Sequence, residues 1–353
     1  MRIEAIIQEL RRLVNGEETD SLELAEILYH HRCYALLTEM QLECEWKQKA
    51  QRSLMLHQLS LRRRYLSCKP VWETLSAERI PFAVVKGAVL SQTAYGSVNK
   101  RVSGDVDMLI RREDADTVKR IFREQGFIQG QLQDGRVVPF TRAEQLFYAS
   151  ASHQLAPFMR EESDLLCPYI NVDVNFDIFW GESEKHADMS FVLSEMEQTT
   201  ICGVKVQKLP AEMEFIAMCL HHYKDMNSLY LLYNGNLKLS LFCDLLFYIR
   251  YNDLCTSKLL KLAQELSVAP YLYYCLHYTN LLFDDPKVQT LRDAMETPAG
   301  HELLSCYGLI EEERKEWTIP FEERLFGSGL RAYLEEGFTE SDWSKIRKNQ
   351  QYL

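Results

Sequence analysis

Asp105 and Asp107 alternate with Val106, Met108 and Ile110 in a short run opened by Gly104. As a strand, with a side-chain period of two, this run puts both carboxylates on one face and the apolar residues on the other, with the two Cα atoms about 6.5 Å apart. Two carboxylates side by side in a core-like strand repel each other and lose hydration unless a cation sits between them. Oxygen-only ligands suit magnesium or manganese rather than zinc, and magnesium commonly carries phosphate oxygens in its shell. A solvated edge strand with two surface aspartates is the plain alternative for the D-x-D pattern alone.

The stretch ahead of these aspartates favours the metal-phosphate chemistry. Residues 82–85 form a brief apolar, β-branched run, Lys86-Gly87 ends it, residues 88–95 have room for about two helical turns, and Gly96 stops them. Gly87 lets backbone approach a phosphate. A helix beginning at Ala88 points its first amides at that phosphate, and Lys86 adds a positive charge.

Lys86-Gly87, Tyr95, Arg101 and the run Gly104-Asp105-Val106-Asp107 resemble the nucleotidyltransferase superfamily of the DNA polymerase β type. The likeness is to its poorly characterised branch with a KG turn, a Tyr, an Arg and a G-D-[IV]-D strand. The resemblance implies that Asp105 and Asp107 are catalytic metal ligands. It also implies that Lys86, Gly87, Ala88 and Arg101 contact the donor nucleotide. The superfamily usually has Gly-Ser or Gly-Gly in the turn, whereas this chain has Gly87-Ala88 and so lacks one hydroxyl there.

Such enzymes need a third carboxylate on a neighbouring strand. Residues 169–180, YINVDVNFDIFW, carry Val172, Val174, Phe176 and Ile178 on one face and Asp173, Asn175 and Asp177 on the other. In the resembling branch this strand tends to read V-D-L-H-W. That places Asp173 on the third carboxylate and Asn175 where a histidine is common, with Asp177 as the rival ligand. A hairpin with its polar face in water is the alternative.

The 353 residues are ample for a sizeable core and for two or three compact units. Helical spacing fills residues 1–79, where Arg2, Glu4, Glu9, Arg11 and Arg12 break any apolar leader and Ser21 is a candidate N-cap. His30-His31 and Arg62-Arg63-Arg64 in this region read as packed or solvated helix faces. Residues 80–208 read as the α/β nucleotidyltransferase-like core, with a helix over 112–125, a loop or hairpin over 130–138, 153–160 pairing with 169–180 across 161–164, and a strand over 201–209. Residues 209–353 turn helical again, and the resemblance places His221, His222, Lys224, Lys238 and Asp244 among polar residues of that region, Lys238 foremost as a donor-phosphate contact. The expected class is α+β, a small mixed-sheet core flanked by helical regions.

The formal charge of −11 and pI near 5.4 argue against broad capture of nucleic acid. No run is apolar enough to span a bilayer, and the ten scattered cysteines form no C-x-x-C pair, which fits buried reduced thiols and a cytoplasmic protein. The reaction implied is transfer of a nucleoside monophosphate from a nucleoside triphosphate, ATP by expectation, to a hydroxyl of a small molecule or protein, assisted by magnesium or manganese on Asp105, Asp107 and Asp173. A module that binds nucleotide without turnover, or an interaction protein with incidental aspartates, is the alternative.

Overall fold

A computed structural model describes the backbone of residues 3–181 and 183–352, and the side chains of all of these except 149–151, 351 and 352. Arg2, part of the amphipathic pattern at the start, lies outside the described residues. The chain divides into two compact units, residues 53–214 and residues 1–52 with 215–353.

In the 53–214 unit, six strands form one sheet: β1 (Phe82–Val85), β2 (Val106–Ile110), β3 (Ile128–Gln133), β4 (Arg136–Pro139), β5 (Phe158–Asp164) and β6 (Cys167–Asn175). Their spatial order is β1-β2-β6-β5-β3-β4. β2 and β6 run parallel while their outer neighbours β1 and β5 pair antiparallel, so the sheet is mixed and the chain is α+β. All of β1 and β2 is buried. One face carries Val84, Val106, Met108 and Val174, and the long helix Glu45–Ala77 lays Leu61, Tyr65 and Trp72 into the same core. Trp72 Nε1 donates to Met108 Sδ at 3.3 Å beneath β2. With the apolar half of the alternation committed to this core, Asp107 and Asp173 are left on the opposite face.

The expected elements differ from the observed ones mainly at their ends. The helix over 112–125 divides into a 3-10 turn, Arg112–Asp114, and a helix Ala115–Glu124, closed by Gly126 at φ +78°. Residues 130–138 are a hairpin whose turn residues Asp134 and Gly135 both take positive φ, as a two-residue primed turn requires. β5 does pair with β6, but the acidic residues 161–164 lie within β5 rather than in the turn, which is Leu165-Leu166. The strand over 169–180 stops at Asn175. The strand over 201–209 is the second arm of a separate hairpin, β7 (Glu197–Ile201) with β8 (Val204–Lys208), turned at Cys202-Gly203.

Among its described residues, the regular structure of the other unit is helical apart from the two-residue strands Cys306–Tyr307 and Lys315–Glu316. Ser21 caps the Leu22–His30 helix by accepting from Leu24 N. The helix expected to run on from there breaks at Arg32, which takes φ +59°, before Tyr34–Glu39. Helices Leu239–Tyr251 and Ala269–Phe283 supply much of this unit's core. All ten cysteines are free.

Candidate active site

Strand register brings the acidic residues together. In the parallel β2/β6 ladder Asp107 lies opposite Asp173, and Val106 opposite Val172. Asp105 precedes the first residue of β2, two positions before Asp107. Asp107 is 8% exposed, and Lys86 Nζ donates to its Oδ1 at 2.9 Å. Burial, then the charge of Asp107, pushes the Asp105 carboxyl above the usual range, against the pull of Lys86 and Arg64. Tyr148, from the helix Arg142–Ala151, is pushed up to about 12 by burial first, then by the charges of Asp173 and Glu144.

Asp177 is separated from this group. Beyond the end of β6, its Oδ1 accepts from the amides of Phe179 at 3.0 Å and Ala187 at 3.3 Å, and its Oδ2 lies 3.0 Å from His186 Nδ1. Those contacts tie the loop after the strand. Asn175 Nδ2 reaches the carbonyl of Met108 at 3.5 Å.

The turn ahead of the acids has the geometry a phosphate-binding turn needs. Lys86 is the N-cap of the helix Gly87–Tyr95 at φ +54°, and Gly87 follows at φ +44°. A side chain at Gly87 would be strained by that φ, and its Cβ would lie 3.2 Å from Ser103 Oγ. Lysine in this backbone region costs about 1–3 kcal/mol, which the surrounding packing sustains. Ala88 is buried in the first turn of the helix. Gly96 closes the helix in the left-handed conformation, as its sequence position implies.

Ser91, fully buried on that helix, sets the course of the loop between the turn and β2. Its Oγ donates to Ser97 O at 2.7 Å and accepts from Lys100 N at 3.2 Å and Arg101 N at 3.1 Å. Arg101 is thereby anchored through its backbone. The pKa of His57 is lowered to about 4 by burial first, then by the charges of Arg64 and Arg101. Arg64 Nη1 in turn donates to Ser103 O at 3.1 Å.

Sequence reasoning missed Ser91, Ser103, His57, Tyr148 and the role of Arg64. Arg62-Arg63-Arg64 is not uniformly solvated: Arg63 pairs with Glu162, while Arg64 is 7% exposed. Lys238 lies in the helical unit, at the N-cap of Leu239–Tyr251, its ammonium pulled down by burial and then by Arg32. In that unit His222 and Asp244, both fully buried, approach to 3.5 Å, and His221 lies 3.6 Å from Asp225.

A family model described as "Uncharacterised nucleotidyltransferase" matches residues 22–284. The chain belongs to that family. No curated protein matches this nucleotidyltransferase-family chain significantly. Among solved structures, a nucleotidyltransferase-like antigenic protein from Paracoccidioides brasiliensis superposes with a TM-score of 0.40 at 18% identity, covering 67% of this chain and 93% of that one. Among the described residues no helix is long and apolar enough to cross a membrane.

Proposed function

We propose that the 53–214 unit transfers a nucleoside monophosphate from a nucleoside triphosphate, with ATP as the expected donor, to a hydroxyl of a small-molecule or protein acceptor. The observation that carries this reading is the register that sets Asp107 beside Asp173. Next to that pair stand Asp105, Lys86 and the Gly87 turn. The negative net charge argues against nucleic acid as acceptor.

Among the described residues no three acidic, histidine or cysteine side chains close around a common point as ready metal ligands. The donor set is nevertheless all oxygen, and Asp107 and Asp173 lie opposite each other in the β2/β6 ladder with Asp105 two residues before Asp107. Asp105, Asp107 and Asp173 therefore suit magnesium or manganese, once Lys86 turns from Asp107 toward phosphate. Such a cation supplies Lewis acidity at the phosphate and neutralises charge on the entering and leaving oxygens.

The chain's own groups do the rest. The Gly87 turn presents backbone amides to the phosphates, and Lys86 and Arg101 counter their charge. Attack by the acceptor oxygen forms one bond to the α-phosphorus and breaks the bond to pyrophosphate, which leaves with the electron pair. The acceptor's proton passes to a carboxylate of the trio, with Asp173 the member on the neighbouring strand.

The test is calorimetric titration with several nucleoside triphosphates, in magnesium and in EDTA, on the parent and on Asp105→Asn/Asp107→Asn. Magnesium-dependent binding that disappears in the double variant is the expected result. Failure of every triphosphate to bind overturns the reading. The bond from Lys86 to Asp107, which already supplies one positive charge, favours as second reading a nucleotide-binding module without turnover. Binding with no pyrophosphate release for any acceptor would select it.

A further inference from the structure

The turn lacks a hydroxyl at Ala88, yet a hydroxyl stands at that turn from elsewhere. Ser103 Oγ comes within 3.2 Å of the point where a Gly87 Cβ would sit. It is buried and, among the described residues, has no hydrogen-bond partner. The backbone of the same residue is gripped from the Glu45–Ala77 helix by Arg64, whose Nη1 donates to the Ser103 carbonyl at 3.1 Å. Arg64 is more than nine-tenths buried, and its Nε is likewise without a partner among the described residues. A buried donor left unpaired is costly, and here two belong to residues that are bonded to each other beside a glycine turn, which points to an acceptor from outside the fold.

The charge around them selects the acceptor. Arg64 Nη1 bonds the Ser103 carbonyl, Arg101 lies two residues before Ser103 with its amide on Ser91 Oγ, and Lys86 at the start of the turn bonds Asp107 Oδ1, so three cationic residues lie along one short loop and the turn it follows. A cationic wall with a free hydroxyl donor beside a glycine turn suits phosphate oxygens.

We propose that Ser103 and Arg64 form a phosphate-binding wall that holds the β- and γ-phosphates of the nucleotide, Ser103 supplying the hydroxyl that the turn lacks. This rests on the nucleotidyl-transfer reading for the identity of the ligand, while the wall itself rests on the unpaired donors. Arg64 also positions Ser103 through its carbonyl. Ser103→Ala therefore removes a phosphate donor without removing any bond within the protein.

The experiment is calorimetry on the full chain with magnesium-ATP, AMP and inorganic tripolyphosphate, for the parent, Ser103→Ala, Arg64→Met, Arg64→Lys and Asp105→Asn/Asp107→Asn. Ser103→Ala and Arg64→Met are expected to weaken ATP and tripolyphosphate about 10- to 100-fold. AMP should change by less than about threefold, Arg64→Lys should recover part of the loss, and Ser103→Ala should melt no lower than the parent. A parallel fall in AMP affinity would show a merely structural effect and overturn the proposal. So would unchanged tripolyphosphate and ATP binding in Ser103→Ala and Arg64→Met. If ATP binding is lost in the aspartate double variant but kept in those two, the wall fails and the nucleotidyl-transfer reading stands. If tripolyphosphate binds and depends on Ser103 and Arg64 while no nucleotide binds, the wall stands and the transfer reading fails.

Discussion

The helical unit and the centre of the sheet hold acids in different ways. In the helical unit several buried carboxylates are matched to cations or amides at close range, as Asp177 and Glu162 are at the margins of the sheet: Asp285 with Arg250 at 2.8 Å and the amides of Lys287 and Val288, Glu313 with Lys345 at 2.8 Å, Asp342 with Lys315 at 2.9 Å. Consistent with that, the Asp342 carboxyl sits below its usual range, held there by Thr339 and Lys315 against the effect of burial. In the sheet unit Lys86 is bonded to Asp107 while the neighbouring Asp105 is pushed upward. Matched acids hold a fold together. Acids crowded beyond their cations are costly to the fold and are kept where a ligand can supply the missing charge.

The largest effect should come from neutralising the crowded acids. Asp105→Asn/Asp107→Asn is expected to lower magnesium-dependent triphosphate binding and turnover at least about 100-fold while leaving the melting temperature unchanged or raised, because like-charge repulsion is relieved. Calorimetry and thermal unfolding on the same samples check both halves. A large fall in melting temperature would place these acids with the structural ones and break the contrast.

The same chemical change in the helical unit should do the reverse. Asp285→Asn strips the charge from a largely buried pair while leaving an acceptor for the cap of the helix Pro286–Ala294, for an expected loss of about 2 kcal/mol. Denaturant unfolding measures it, and a loss under about 0.5 kcal/mol would contradict the structural assignment.

How far the sequence revealed this contrast depends on the range of the interactions. The β1, turn, helix and β2 succession was legible because alternation, Gly87 and Gly96 are local signals. The D-x-D face was legible for the same reason. The different placements of Asp173 and Asp177 were not, since both fit the alternation. Asp173 lies opposite Asp107, 66 residues away in the chain, while β6 ends at Asn175, before Asp177. Arg64 was hidden more deeply. In a run of three arginines only the position of the helix on the sheet decides which one is buried, and the partner, Ser103, is 39 residues distant. Ser91 was passed over because a serine in a helix carries no sign of the loop it holds.

Lys86 sharpens the contrast at a smaller scale. Lys86→Met leaves Asp107 buried beside Asp105 without its lysine, for an expected loss of about 2 kcal/mol. Adding Asp107→Asn should return most of that loss, giving a coupling of about 1–2 kcal/mol in a double-mutant cycle of urea unfolding. Magnesium should stabilise the parent by about 1.4 kcal/mol when present at tenfold its dissociation constant, and should not stabilise Asp105→Asn/Asp107→Asn. Additive single losses would mean that the lysine and the aspartate act independently.

Acid offers the mildest comparison, because each unit holds a histidine whose pKa its surroundings lower to about 4. His31 Nδ1 accepts from Leu239 N at 3.0 Å, and burial, then Lys238 and His30, lowers its pKa to about 4. His57 in the sheet unit is lowered to about 4 as well, by burial and then by Arg64 and Arg101, against the pull of the Ser103 carbonyl. Above pH 6.5 neither the folded nor the unfolded chain protonates these rings, so they add no pH dependence. Between about pH 6.5 and 4 the unfolded chain takes up a proton that the folded chain refuses, so stability falls with pH by about 1.4 kcal/mol per unit for each ring. Urea unfolding at pH 7, 6 and 5 should show the slope reduced by about that amount in His57→Phe and in His31→Gln, which keeps an acceptor for Leu239 N. Of the two, only His57→Phe should also alter phosphate affinity, since the charges of Arg64 and Arg101 act on His57 and not on His31. Equal effects on phosphate binding from both variants would separate His57 from the proposed phosphate wall.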